Sequence, residues 1–312
     1  MLKLNSGIII LGPTASGKSQ LSIALARRYG GEIVSCDALQ VYKQMDIGTA
    51  KIPAEEREGI PHFLLDIQDP EKEFSAGEYQ RQARDEIRAI SARGNLPFVV
   101  GGTGFYLRAL IEGLFEGPER SENLRARMRA IIHRKGSAIL HRALRRVDPL
   151  SADKIAEKDA DRIIRAYEVY LVSGRSMSSW QQQPRDVFQG YRWLKIGISL
   201  PREELYRRIN QRVERMFQSG LLEETSRLLD KHPKTCHAFK AIGYRQAADY
   251  LQGQLSLSQA IDSTQQESRR YAKRQLTWFR ADPEILWLDG TLDLEDVIAR
   301  ASEAIQQFLA GG

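Results

Sequence analysis

One short run constrains this chain more than any other. Gly12-Pro13-Thr14-Ala15-Ser16-Gly17-Lys18-Ser19 fits the pattern G-x-x-x-x-G-K-[ST]. The apolar run Gly7-Ile8-Ile9-Ile10-Leu11 precedes it, and a helical pattern from Lys18 to about Tyr29 follows. Strand, glycine-rich turn and helix in that order make a phosphate site. The glycines let backbone N–H groups curl around phosphate oxygens, and the helix N-terminus adds the positive end of its dipole. Lys18 is placed to bridge terminal phosphates, and the Ser19 hydroxyl to ligate Mg²⁺.

The rest of the chain repeats the strand–helix rhythm. Apolar, β-rich runs fall at Glu32–Ser35, His62–Ile67, Pro97–Val100, Trp193–Ser199 and Ile285–Leu288, with helical patterns between most of them, such as Ser75–Ser91 and Arg202–Asp230. The tail from Leu292 to Leu309 reads as an amphipathic helix. This alternation implies βαβ units and an α/β fold with a parallel sheet. The stretch 116–185 breaks the rhythm with helix formers and many arginines, and reads as a mostly helical insertion between core segments 1–115 and 186–312. The whole chain carries a net +6, yet Arg120 to Arg146 alone holds nine Lys/Arg against one acid, Glu122. That concentration points to a polyanion, with RNA favoured over a merely solvated helix face. The two cysteines, Cys36 and Cys236, exclude a disulfide framework and a four-cysteine zinc site. A cytoplasmic location is expected, and no apolar run reaches the ~18 residues of a membrane span.

Two further turns sit where strands should end, facing the ligand crevice of an open parallel sheet. In Ser35-Cys36-Asp37-Ala38-Leu39-Gln40-Val41-Tyr42, Asp37 projects beside the phosphates as a general base or metal outer-shell ligand; a helix N-cap is the competing use. Gly101-Gly102-Thr103-Gly104 admits close approach of a ligand and offers a hydroxyl, although an ordinary strand-to-helix turn explains its glycines as well. An aspartate ending a second apolar run, the usual metal partner of such loops, has only weak candidates in Asp66 and Asp289.

Taken with Ile47-Gly48-Thr49-Ala50-Lys51, Gly59-Ile60-Pro61-His62, Ser75-Ala76-Gly77-Glu78-Tyr79, Arg208-Ile209-Asn210-Gln211-Arg212, Ala241-Ile242-Gly243-Tyr244 and the block Tyr271 to Arg280, these motifs span nearly the whole chain. Together they resemble the bacterial tRNA dimethylallyltransferase family. The resemblance implies a P-loop NTPase-like core that takes a prenyl diphosphate in place of ATP. It implies Mg²⁺-dependent transfer of a dimethylallyl group from dimethylallyl diphosphate to N6 of the adenine on the 3′ side of the anticodon. A monomer and a tRNA anticodon stem-loop partner are expected with it.

Site residues follow from the resemblance and the chemistry together. Asp37 is expected to take the amine proton, and Lys18 with Arg208 and Arg212 to absorb charge on the departing diphosphate. Gln40 suits the adenine edge, with Ala38, Leu39 and Thr103 in the same pocket. Arg125 and the segment Asp161-Arg162-Ile163-Ile164-Arg165 are expected to contact tRNA. Three departures from the family pattern stand out: Ala38 where serine is usual, Phe63 where a second histidine is usual, and Ala156-Glu157-Lys158-Asp159 where a histidine-proline-asparagine run is common. A small-molecule kinase and an RNA-binding module without chemistry are the competing readings. The first leaves the arginine-rich insertion unexplained, and the second leaves Asp37, Gln40 and Thr103 converging on nothing.

Overall fold

The computed structural model describes residues 4–115 and 117–311. Glu116, the expected start of the insertion, and Gly312 lie outside the described residues. The chain divides into two compact units, 1–111 with 188–312, and 112–187.

The larger unit is built on a six-stranded sheet of order β3-β2-β4-β1-β5-β6. Its strands are β1 (Asn5–Leu11), β2 (Gly31–Cys36), β3 (His62–Phe63), β4 (Leu96–Gly101), β5 (Tyr191–Ser199) and β6 (Ile285–Asp289). Every neighbouring pair is parallel. Ile8 and Ile10 face a core completed by Leu21, Leu25, Ile33, Phe98, Ile196 and Ile198, with Ala301 and Ile305 of the C-terminal helix Leu294–Ala310. Burial on both faces explains why β1, β2 and β4 read as continuous apolar runs.

Two elements differ from the expected ones. The run His62–Ile67 gives only the two residues of β3, because Leu64 (φ 62°) and Asp66 (φ 55°) take left-handed conformations that end strand pairing. The long helix expected over 202–230 is two helices, Arg202–Gln218 and Leu221–Lys231, broken at Gly220 with φ 101°.

The smaller unit contains five helices among its described residues: Glu122–Lys135, Ala138–Val147, Pro149–Lys154, Ala160–Ser173 and Met177–Gln181. Met128, Leu140, Ile163 and Ile164 form its core. Glu168, fully buried, accepts hydrogen bonds from Ser121 N (2.8 Å), Arg125 Nε (3.0 Å) and Arg165 Nη1 (2.8 Å). Three charge-assisted donors compensate the carboxylate and hold its pKa down, against the upward push of burial.

Candidate active site

Strand order assembles the site. β2, β4 and β1 lie side by side, so the turns leaving their carboxyl ends meet: Asp37 after β2, Gly101–Gly104 after β4, and the loop 12–19 after β1. Register makes the approach close. Gly101 pairs with both Cys36 and Leu11, and a Cβ on Gly101 would fall 2.1 Å from Cys36 O, so only glycine fits.

These turns open on a cavity of about 350 Å³. From the phosphate loop, Thr14, Lys18 and Ser19 line it; Gly12, Pro13, Ala15, Ser16 and Gly17 shape the loop behind them. Gly17 (φ 93°) begins the helix Lys18–Tyr29, and Ala15 holds φ 64°, a conformation that costs a non-glycine residue about 1–2 kcal/mol. Ser16 Oγ is buried with no hydrogen-bond partner. Asp37, Ala38, Leu39 and Gln40 form another wall. Asp37 Oδ1 accepts from Leu39 N (2.9 Å) and Gln40 N (3.3 Å), which fixes the carboxylate at the cavity edge. Gln40 Nε2 donates to Thr49 O (3.3 Å) and Ala50 O (3.4 Å).

Helix Arg202–Gln218 supplies the third wall through Ile209, Arg212, Val213 and Met216, so a cation sits among apolar side chains. Arg212 Nη2 donates to Thr49 O (3.3 Å). Arg208 does not line the cavity. Glu204 Oε1 accepts from its Nε at 2.6 Å and Gly290 O from its Nη2 at 3.2 Å, and these bonds turn it away.

Charge is concentrated here on half-buried side chains. Burial, reinforced by Arg212, lowers the Lys18 pKa to about 7, with Asp37 opposing the drop. Burial also lowers Arg212, again opposed by Asp37. Two cations and one carboxylate thus feel each other in a site short of one negative charge. Lys18 Nζ donates to Pro13 O at 2.7 Å.

Thr103 is not on the cavity wall. Its hydroxyl accepts from Ala38 N (3.1 Å) and lies by the Tyr271 phenol, so it holds in place the turn that carries Asp37. Burial, then Asp37, raises the Tyr271 pKa well above its ordinary value.

The sequence reading missed a residue central to this arrangement. Gln275, on helix Leu257–Phe279, accepts from Thr14 N (2.9 Å) and donates to Gly102 O (2.8 Å), tying the phosphate loop to the glycine turn. Its position in the block Tyr271 to Arg280 was visible, its partners were not.

The residues of the smaller unit expected to meet tRNA are placed as follows. Arg125 is buried in a pair with Glu168. Ile163 and Ile164 are core residues, and Arg165 is engaged by Glu168 and Pro118 O. Asp161 and Arg162 are exposed. Elsewhere, Asp66 pairs with Lys51 at 2.6 Å, and Asp289 binds Thr291, so neither weak metal candidate reaches the cavity. Among the described residues, the grouping Asp69, Glu71 and His232 has ligand-like spacing but also lies outside it.

Comparison with known proteins places the chain in a family. The family model described as IPP transferase matches residues 40–282. A tRNA dimethylallyltransferase of Koribacter versatilis is 50% identical over 298 residues, covering 96% of this chain and 97% of that protein. One from Solibacter usitatus is 47% identical over 303 residues, covering 97% and 98%. The full-length tRNA isopentenylpyrophosphate transferase of Bacillus halodurans superposes with a TM-score of 0.72 at 41% identity, over 99% of this chain and 96% of that one. A eukaryotic dimethylallyltransferase acting on tRNA superposes with a TM-score of 0.81 at 28% identity, over 98% and 80%. With half its residues shared over nearly its whole length and this cavity at its centre, the chain belongs to the IPP transferase family, among the bacterial tRNA dimethylallyltransferases.

Proposed function

We propose that this cavity transfers a dimethylallyl group from dimethylallyl diphosphate to N6 of the adenine 3′ to the tRNA anticodon. The carrying observation is that Lys18, Arg212 and Asp37 share one cavity with the apolar Ile209, Val213 and Met216. An anionic head and an apolar tail fit beside one another on that wall, and the carboxylate stands where an entering amine must lose its proton.

The exocyclic amine of adenine is a weak nucleophile, and a positioned base contributes ~10²–10⁴-fold. Asp37 takes that role, while Gln40 on the same wall meets the base edge. The target adenine leaves its stack to reach the site. Allylic C–O cleavage places negative charge on the diphosphate, which Lys18, Arg212 and the loop amides stabilise in a water-poor setting. The mutually repelling pair of cations is stabilised when that anion binds.

The cavity's donor set fits Mg²⁺. Hydroxyl and carboxylate oxygens, Ser19 and Asp37, are hard and few, as suits an ion shared with substrate phosphates. Ser19 would hold the ion, which supplies charge neutralisation of the diphosphate. On the smaller unit, the exposed Arg127, Arg134, Arg142 and Arg146 suit contacts to RNA phosphate. One chain supplies every residue named, so a cytoplasmic monomer suffices, and no described helix is long and apolar enough to cross a membrane.

The test is purified protein with Mg²⁺, dimethylallyl diphosphate and unmodified tRNA, without ATP, followed by mass spectrometry of digested nucleosides. An N6-prenylated adenosine is expected. Absence of that product, with phosphate transfer once ATP is added, overturns the reading in favour of a kinase.

A further inference from the structure

Helix Leu257–Phe279 puts Thr264, Ser268, Tyr271 and Gln275 on the cavity wall. One step beyond Gln275 it carries Trp278, which is 41% exposed although it is one of the largest apolar side chains. Trp278 packs against the glycine turn: a Cβ on Gly104 would fall 2.2 Å from its ring. Next to Gly104 is Phe105, 53% exposed. Large aromatics left in water beside a catalytic cavity call for a partner.

The surrounding charge says which kind. Residues 268–280 contain five Lys/Arg and no acid. Arg270, Arg274 and Trp278 recur at four-residue spacing, all exposed, and the Arg108 guanidinium stands 6.0 Å from the Trp278 ring centre. A second copy of this chain presenting the same positive face is repelled. Nucleic acid is attracted, and its bases have the flat apolar faces that exposed aromatics take up.

We propose that Phe105 and Trp278 form a stacking platform at the rim of the cavity, which receives the bases flanking the extruded adenine. The inference rests on the reading of tRNA as substrate. Extruding a base removes the stacking partner of its neighbours, and an aromatic ring at the rim restores it without reading sequence. Arg270 and Arg274 then face the backbone of the same loop.

Stacking and phosphate contact separate by salt. Neutral aromatic truncation lowers affinity without altering counterion release, so the slope of log K against log salt stays fixed. The experiment measures tRNA affinity across a salt series for the parent, Phe105→Ala, Trp278→Ala and Trp278→Phe, with dimethylallyl diphosphate affinity and the urea midpoint read alongside. Each alanine variant is expected to lose ~5- to 150-fold in tRNA affinity at every salt concentration. Parental slope and donor affinity are expected to persist, and Trp278→Phe to recover most of the loss. Because Trp278 also packs on Gly104, Phe105→Ala decides the matter if Trp278→Ala unfolds earlier in urea. Affinity within twofold of the parent for Phe105→Ala and Trp278→Phe alike, with no loss in a folded Trp278→Ala, overturns the platform. So does a loss accompanied by a shallower slope, which marks a phosphate contact. A parent that binds no tRNA overturns the underlying reading instead.

Discussion

Replacing Gln275 with leucine keeps its approximate volume and deletes two hydrogen bonds, from Thr14 N at 2.9 Å and to Gly102 O at 2.8 Å. Gln275 is buried, so water does not simply replace the lost partner. Each such bond contributes about 1 kcal/mol net, and a buried group left unpaired costs about 1–3 kcal/mol. The expected loss of stability is therefore about 2–4 kcal/mol, read as a lower urea midpoint with an unchanged slope. The two bonds span the phosphate loop and the glycine turn, so part of the loss falls on donor binding. If about 1.4 kcal/mol of it does, KM for dimethylallyl diphosphate rises about tenfold while kcat at saturating donor falls less. Gln275→Glu sharpens the test. An ionised carboxylate still accepts from Thr14 N but cannot donate to Gly102 O, whereas the protonated acid does both. Its activity relative to the parent is expected to climb as pH falls from about 8 to 6, and that of Gln275→Leu to stay level. A parental urea midpoint and donor KM in Gln275→Leu refute the reasoning.

Three other outcomes follow from the site. Asp37→Ala is expected to cut kcat by at least ~100-fold while tRNA affinity stays within a few fold; equal losses in both make Asp37 a holding residue and not a base. Lys18, lowered to about 7, carries its charge below that pH and loses it above. A diphosphate favours the charged form and raises the pKa on binding, so calorimetry in two buffers at about pH 8 is expected to show proton uptake; identical heats after buffer correction count against it. Arg125→Ala removes one partner of the buried Glu168, which keeps Arg165 and Ser121 N. A loss near the low end of about 3–5 kcal/mol in the stability of the smaller unit is expected, with the salt slope of tRNA binding unchanged. A flattened slope restores Arg125 to the RNA surface.

What was legible in the sequence was what is local. The phosphate loop, its strand and its helix declare themselves within residues 7–29, because turn geometry and helix dipole act over a few residues. All six strands fall within the apolar runs that anticipated them or extend them, and in β1, β2 and β4 burial on both faces leaves a dense local signature. For Arg125 the sequence shows the charge but not the partner: Glu168 lies 43 residues later, and an arginine in a basic stretch looks solvated until that partner is known. Arg208 and Arg212, four residues apart on one helix, are indistinguishable in sequence. Glu204 and Gly290 O draw one away while the other stays on the cavity wall. Gln275 had no local signal at all, with partners 261 and 173 residues distant.

Helix Leu257–Phe279 shows why these long-range residues decide the chemistry. With 3.6 residues per turn, its face at Thr264, Ser268, Tyr271 and Gln275 bounds the cavity, and Arg270, Arg274 and Trp278 recur along its exposed side. Gln275 holds the phosphate loop, Tyr271 lies by the Thr103 that supports Asp37, and Trp278 packs on Gly104, where the proposed platform would meet the loop bases. Donor, base and acceptor are thus referred to one rigid rod, and an error in its axial position displaces all three together. Substitutions on its cavity face should therefore change donor KM and kcat jointly, whereas those on its outer face should change tRNA affinity alone. An outer-face variant such as Arg274→Ala that alters donor KM at saturating tRNA shows that the two faces are not independent, and breaks that division.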